Sequence, residues 1–189
     1  MHNFKLIRQG IHVDDLSRFL LSDESMELWL NNTVRQRLSV ALKDTFTIHL
    51  RKLPILAKNV NESNEVLDVI DNPAIVGHPM MKVVKSLCDS IYDEEKSERY
   101  GRIFISRLKA GCHIGRHVDE GSYFNQFTNR YHIVVSANDE CKADIDGEIS
   151  AMLSGEAWLV NNHVPHMFWN GGTTDRINII FDTVPKTCI

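Results

Sequence analysis

The chain of 189 residues lacks any apolar run near the ~18 residues of a membrane-spanning helix, and its start, MHNFKLIRQG, lacks the charged-then-apolar pattern of a secretory signal. No membrane partner and a cytoplasmic location are therefore expected. Cysteine is confined to Cys88, Cys112, Cys141 and Cys188, far apart and without a CxxC pair. Neither a disulfide framework nor a Cys-based zinc site is signalled, and reduced, mostly buried thiols are expected. No basic run exists: 21 Lys and Arg stand against 25 Asp and Glu, for a net charge of −4. That scatter argues against a nucleic-acid or membrane-surface binder. Internal repeats at solenoid or propeller periods are also missing.

What is present is an average globular composition, 43% hydrophobic and 24% charged, in a length that suits one domain of ~100 to 200 residues. Residues 1–99 read as a helix-rich part with flanking strands, and residues 100–189 as a strand-rich core. Leu16, Phe19, Leu20 and Leu28 recur near the helical period over 14–30, where Ser22-Asp23-Glu24-Ser25 can cap a restart and Trp29 ends the stretch. DTFTIHLRKL (44–53) alternates Phe46, Ile48 and Leu50 with Thr45, Thr47, His49 and Arg51, predicting a strand with one wet face. An Asn-, Asp- and Pro-rich stretch from 54 to 77 reads as a loop. After Pro79, the spacing of Met81, Val84, Leu87, Cys88 and Ile91 predicts a helix over 79–92 that covers a sheet. From 100 onward RIFISRL, CHIGRHV, YHIVVSA, AWLVNN, HMFWN and RINIIFD are short β-rich runs between turn residues. The fold class is α+β, mainly β: helices packed against a β-sandwich or small barrel.

Five of nine histidines (His113, His117, His132, His163, His166) fall in the strand-rich half. His117 and Asp119, two apart on an extended strand, leave the same face and can meet one metal ion, with His166 arriving from another strand. Two histidines and a carboxylate form the facial triad of non-haem Fe(II) oxygenases, with positions left for a cosubstrate and O2, whereas zinc favours a third His or Cys. His163 is the competing ligand. Arg176, just before INIIFD, can fork onto a carboxylate deep in the barrel.

The segments SRLKAGCHIGRH, NRYHIVV, LVNNHVPHMFWN and DRINIIFDTVP, in this order between Arg102 and Pro185, resemble the aspartyl/asparaginyl β-hydroxylase family of Fe(II)/2-oxoglutarate-dependent oxygenases. The resemblance implies a double-stranded β-helix (jelly-roll, cupin-like) core with the N-terminal helices packed on one sheet. It implies His117, Asp119 and His166 as iron ligands. It also implies Arg176 gripping the distal carboxylate of 2-oxoglutarate, Ser106 assisting that arginine, and Arg130 and His132 holding the cosubstrate near the metal. The reaction implied is hydroxylation of an amino acid, or of an amino-acid residue in a peptide or protein, using O2 and releasing succinate and CO2. Asp119 departs from the animal enzymes, which carry glycine there, and agrees with related bacterial oxygenases. Ala110-Gly111 replaces the family's frequent Pro-Gly, and the loop EGSYFNQFTN (120–129) is longer. Trp29, Arg35, Gln36 and Arg51 are candidate substrate-side contacts. The competing readings are a non-catalytic cupin-like module holding another metal and a small acid, and an interaction protein with structural histidines.

Overall fold

The structure, a computed structural model, describes residues 3–30, 39–54 and 58–186. Among these residues, β1 (Phe4–Arg8), β9 (Ala157–Val160), β6 (Asn129–Ser136), β11 (Arg176–Pro185), β4 (Ser97–Leu108), β2 (Thr45–Lys52) and β3 (Ile70–Asp71) form, in that spatial order, a seven-stranded sheet. A second sheet has the order β5 (His113–His117), β10 (His166–Asn170), β7 (Cys141–Ile145) and β8 (Glu148–Ser150). All pairings are antiparallel. From β4 onward the chain passes back and forth between the two sheets, the winding of a double-stranded β-helix.

The two faces of the large sheet do different jobs because side chains alternate along a strand. Ile177, Ile179 and Phe181 of β11, with Ile103 and Ile105 of β4 and Ile133 of β6, point outward into one apolar cluster. The helices cover them: α1 (Asp14–Leu21) buries Leu16 and Leu20 there, and α4 (Pro79–Glu94) buries Met80, Met81, Val84, Cys88 and Ile91. Pro79 opens α4 as the spacing requires, and the His78 Nδ1 accepts from the Met80 N–H at 3.2 Å. The inner faces of the two sheets enclose a second, smaller cluster that includes Leu108, Ile114, Val134 and Phe168. No helix among the described residues is long and apolar enough to cross a membrane.

Four expectations need correcting. β2 has no wet face: Thr45 and Thr47 are both buried, because they lie on the inner face of the large sheet, where Thr47 is the register partner of Ser106. Thr45 remains compatible with burial by donating its hydroxyl to the Leu42 carbonyl at 2.7 Å. The stretch 54–77 contains a short helix, α3 (Val60–Glu65), capped by Asn59 through the Glu62 N–H, and the two-residue β3. The loop 120–129 contains α5 (Ser122–Gln126), whose Tyr123 and Phe124 are buried with Phe127. Trp29, on the short helix α2 (Met26–Leu30), is a core residue and not a substrate-side contact, its indole N–H shared between the Leu20 carbonyl and the Ser25 hydroxyl at 3.1 Å each.

Asn170 joins the turn after β4 to the turn after β10. Fully buried, it donates to the carbonyls of Leu108, Lys109 and Thr174 at 3.2, 3.2 and 2.8 Å, while its oxygen accepts from Asn138 Nδ2 at 2.9 Å. Orphaning a buried polar group costs about 1–3 kcal/mol. Asn170→Ala should therefore lose about 2–4 kcal/mol in urea unfolding; a loss under about 1 kcal/mol would show that the two turns do not depend on it.

Candidate metal centre

β5 ends on His117 and β10 begins on His166, and the two are register partners on adjacent strands. Partners in an antiparallel pair leave the same face, and the ring centroids stand 4.2 Å apart. Two residues beyond His117, Asp119 is fixed to the end of the neighbouring connection by its N–H, which donates to the Asn162 carbonyl at 3.1 Å. The ligand atoms of His117, Asp119 and His166 all lie within 4.8 Å of one another, and Asp119 Oδ1 is 3.8 Å from His117 Nε2. Among the described residues this is the one cluster of His, Cys, Asp and Glu able to hold a metal ion. His163, the alternative ligand, is exposed and outside it.

Each imidazole is held from behind. His117 Nδ1 lies 2.8 Å from the Gly115 carbonyl, and His166 Nδ1 lies 2.9 Å from that of Val164. A carbonyl only accepts, so each Nδ1 carries the proton and each Nε2 keeps its lone pair for the space shared with Asp119. Burial pushes the His166 imidazole down to about 4, against the pull of the Asp119 charge. Burial alone would push the Asp119 carboxyl up, but Arg130, with His166 and His117, outweighs it and holds the group down to about 2. The trio thus presents two imidazole Nε2 atoms and an ionised carboxylate, the donor set of the two-histidine-one-carboxylate facial arrangement, and it fits a divalent iron.

The remaining candidates sit on the large sheet's inner face. A cavity beside the histidines is lined by Ser106, Arg130, His132 and Asn162 together with Phe104, Phe168 and Ile180. His132 stacks on Phe168 with centroids 5.3 Å apart, and burial, then Arg176 and Arg130, hold its pKa well below the usual value. Arg130 is committed within the protein: Nε and Nη2 fork onto Asp182 at 2.7 and 3.0 Å, and Nη1 contacts Asp119 Oδ2. Arg176 is the opposite case. It is 3% exposed and lies 5.0 Å from the Phe168 ring, its Nε has no hydrogen-bond partner, and no carboxylate pairs with it among the described residues. The Asn178 amide, oriented to satisfy both groups, accepts from Nη2 and Nη1 at 2.9 and 3.1 Å. Asn178 and Ser106 are register partners beside it. Arg51 is turned elsewhere, toward Asp71, Val69 and Gly101, and Arg35 and Gln36 lie outside the described residues.

Sequence reasoning missed Asn162, Asp182 and Tyr123. An acid inside the apolar run INIIFD was a visible signal for Asp182; nothing marked the other two.

A model of the aspartyl/asparaginyl β-hydroxylase family matches residues 78–185, more than half of the chain. The chain belongs to that family. It is therefore an oxygenase of the hydroxylase class, and the metal cluster lies inside the matched segment. Among solved structures, the chain is similar to an oxidoreductase of the 2OG-Fe(II) oxygenase family from Burkholderia pseudomallei, with a TM-score of 0.56 and 13% identity over 94% of this chain and 93% of that one. It is also similar to a prolyl-4-hydroxylase from Pseudomonas putida, with a TM-score of 0.55 and 12% identity over 99% of this chain and 95% of that one. At such identities the likeness shows the fold, a double-stranded β-helix. A search of curated proteins by sequence finds no match.

The depressed His166 pKa has a consequence for stability. In protein stripped of metal by a chelator, the unfolded chain takes up its proton near 6.5 and the folded chain only near 4. Stability is then full above about pH 6.5 and falls between 6.5 and 4, by on the order of 3 kcal/mol from His166 alone. Asp119 adds a further loss as pH falls from its ordinary 3.8 toward 2. Urea midpoints measured across that range test this, and a flat profile from pH 7 to 4.5 would contradict it.

Proposed function

We propose that the chain is an Fe(II)- and 2-oxoglutarate-dependent dioxygenase that hydroxylates an amino acid, or an amino-acid residue of a peptide or protein, with release of succinate and CO2. The observation that carries this reading is the uncompensated Arg176 guanidinium, buried behind Phe168 on the face that also bears the metal cluster's cavity. A buried charge without a partner is costly, so the arginine calls for an anion from outside the chain. A dicarboxylate would meet both the metal and this arginine.

In this reading His117, Asp119 and His166 hold iron. Arg176 grips the distal carboxylate of 2-oxoglutarate, with Ser106 beside the grip and Asn178 keeping the fork flat. Arg130 and His132 form the wall against which the cosubstrate lies, and the low pKa of His132 keeps that wall from adding a charge. Bound iron and 2-oxoglutarate supply the activation of O2 and the transfer of one oxygen atom to a C–H bond. The apolar lining from Phe104, Phe168 and Ile180 excludes water from the site. An amino-acid substrate is supported by the family's name and by the prolyl hydroxylase among the similar folds.

Anaerobic addition of Fe(II) and 2-oxoglutarate should give the weak visible charge-transfer band of the chelated keto acid in the wild type and not in Asp119→Ala or His166→Ala. Metal bound without that band, and without Fe(II)-dependent succinate formation in air, would overturn the reading in favour of a binding module. Arg176→Ala should weaken 2-oxoglutarate binding by about 2–5 kcal/mol, the cost of leaving a buried charge without its partner. Unchanged affinity would remove the arginine from its assigned role.

A further inference from the structure

The arginine that touches the metal cluster is itself held by an acid that no part of the reaction requires. Asp182 is fully buried on the inner face of β11, directly opposite Arg130 of β6 in register. It takes the fork of Arg130, Nε at 2.7 Å and Nη2 at 3.0 Å, so that only Nη1 reaches Asp119. Tyr123 fixes the acid in turn: its hydroxyl donates to Asp182 Oδ2 at 2.9 Å and accepts from the Arg102 N–H at 2.6 Å. The Arg102 guanidinium lies over the Tyr123 ring at 3.7 Å. Gly101 leaves room for this arrangement, since a Cβ there would stand 2.3 Å from the Tyr123 oxygen. Four elements of the fold are therefore committed to the position of one guanidinium.

A guanidinium beside a single carboxylate favours the two-point fork. Facing Asp119 alone, Arg130 would engage both oxygens and compete with a metal for Oδ1. With its fork occupied by Asp182, it donates to Asp119 Oδ2 only, and Asn162 Nδ2 donates to the same oxygen at 3.0 Å. Both donors on Oδ2 leave Oδ1 as the oxygen that faces the histidine nitrogens, 3.8 Å from His117 Nε2. We propose that Asp182 is a positioning residue that, by holding the fork of Arg130, makes Asp119 a single-oxygen metal ligand. This rests on the reading of His117, Asp119 and His166 as metal ligands. A carboxylate confined to one coordination position leaves more of the metal's positions for cosubstrate and O2.

Cobalt(II) titration of the full chain, followed by its visible absorption, tests the proposal without turnover. Asp182→Asn should lower Co(II) affinity about ten- to hundred-fold, the usual effect of losing a partner behind a ligand, and should change the shape of the cobalt spectrum. The decisive comparison repeats the substitution in an Asp119→Ala background. If Asp182 acts through Asp119, Asp182→Asn there should change the affinity less than about twofold. Wild-type affinity and spectrum in Asp182→Asn, or the same loss with and without Asp119, would overturn the proposal. If Asp182→Asn does not fold, Tyr123→Phe carries the same two-background comparison, with a several-fold loss expected only where Asp119 is present; an unchanged affinity and spectrum would overturn the proposal. Failure of the underlying site reads differently, as wild-type protein that binds no Co(II) or binds it equally well in His166→Ala.

Discussion

The pairing of β5 with β10 places His117 and His166 as direct partners at the point where both strands meet the mouth of the cavity. Antiparallel partners share a face, and because the register of this pair shifts between His166 and Phe168, it is the local pairing at this end that makes the two imidazoles converge. A shift of one residue would turn one of them to the opposite side of the small sheet. Asp119 depends on the same register, because it is the next same-parity residue after His117. Asn170, at the far end of β10, ties that strand to the turns on either side. The metal site is in this sense a property of two strand ends and of the hydrogen bonds that lock them.

Two buried arginines stand on the inner face of the large sheet, and their environments assign them different work. Arg130 is neutralised twice over by Asp119 and Asp182, and the protein alone satisfies it. Arg176 has an amide, a thioether and an aromatic ring around it but no acid. A fold that buries two guanidinia a few strands apart and pairs only one has left the other for a ligand.

The legible parts of the sequence were those governed by strand parity. His117, Asp119, Arg130 and His132 could be placed on shared faces from spacing of two, and Arg176 at the head of an apolar strand stood out as a charge where none was needed. Illegible were the features that depend on which face of a strand another element covers. Thr45 and Thr47 look like a solvent face by composition, yet they line the inside of the two-sheet wrap because β2 extends the large sheet beyond β4. β1 offers only five residues of mixed polarity at a sheet edge, too few for a period to declare itself. Tyr123 sits in a segment whose glycine, asparagines and threonine read as loop, and its two hydroxyl partners, Arg102 and Asp182, lie 21 and 59 residues away.

Polarity on the inner face of the large sheet follows from the same logic. A sheet whose outer face is covered by helices can be stabilised by that face alone: Ile103, Ile105, Ile133, Ile177, Ile179 and Phe181 supply a continuous apolar layer against α1 and α4. The inner face is then released from the need to be wholly apolar. Along β11 it carries Arg176, Asn178, Ile180 and Asp182 in succession, three of them polar and all of them buried. On a two-layer sandwich such a strand would be a severe liability, but here the third layer has already met the demand for burial. The charged groups can be spent on a grip for an anion at one end of the strand and on the anchoring of a metal ligand at the other.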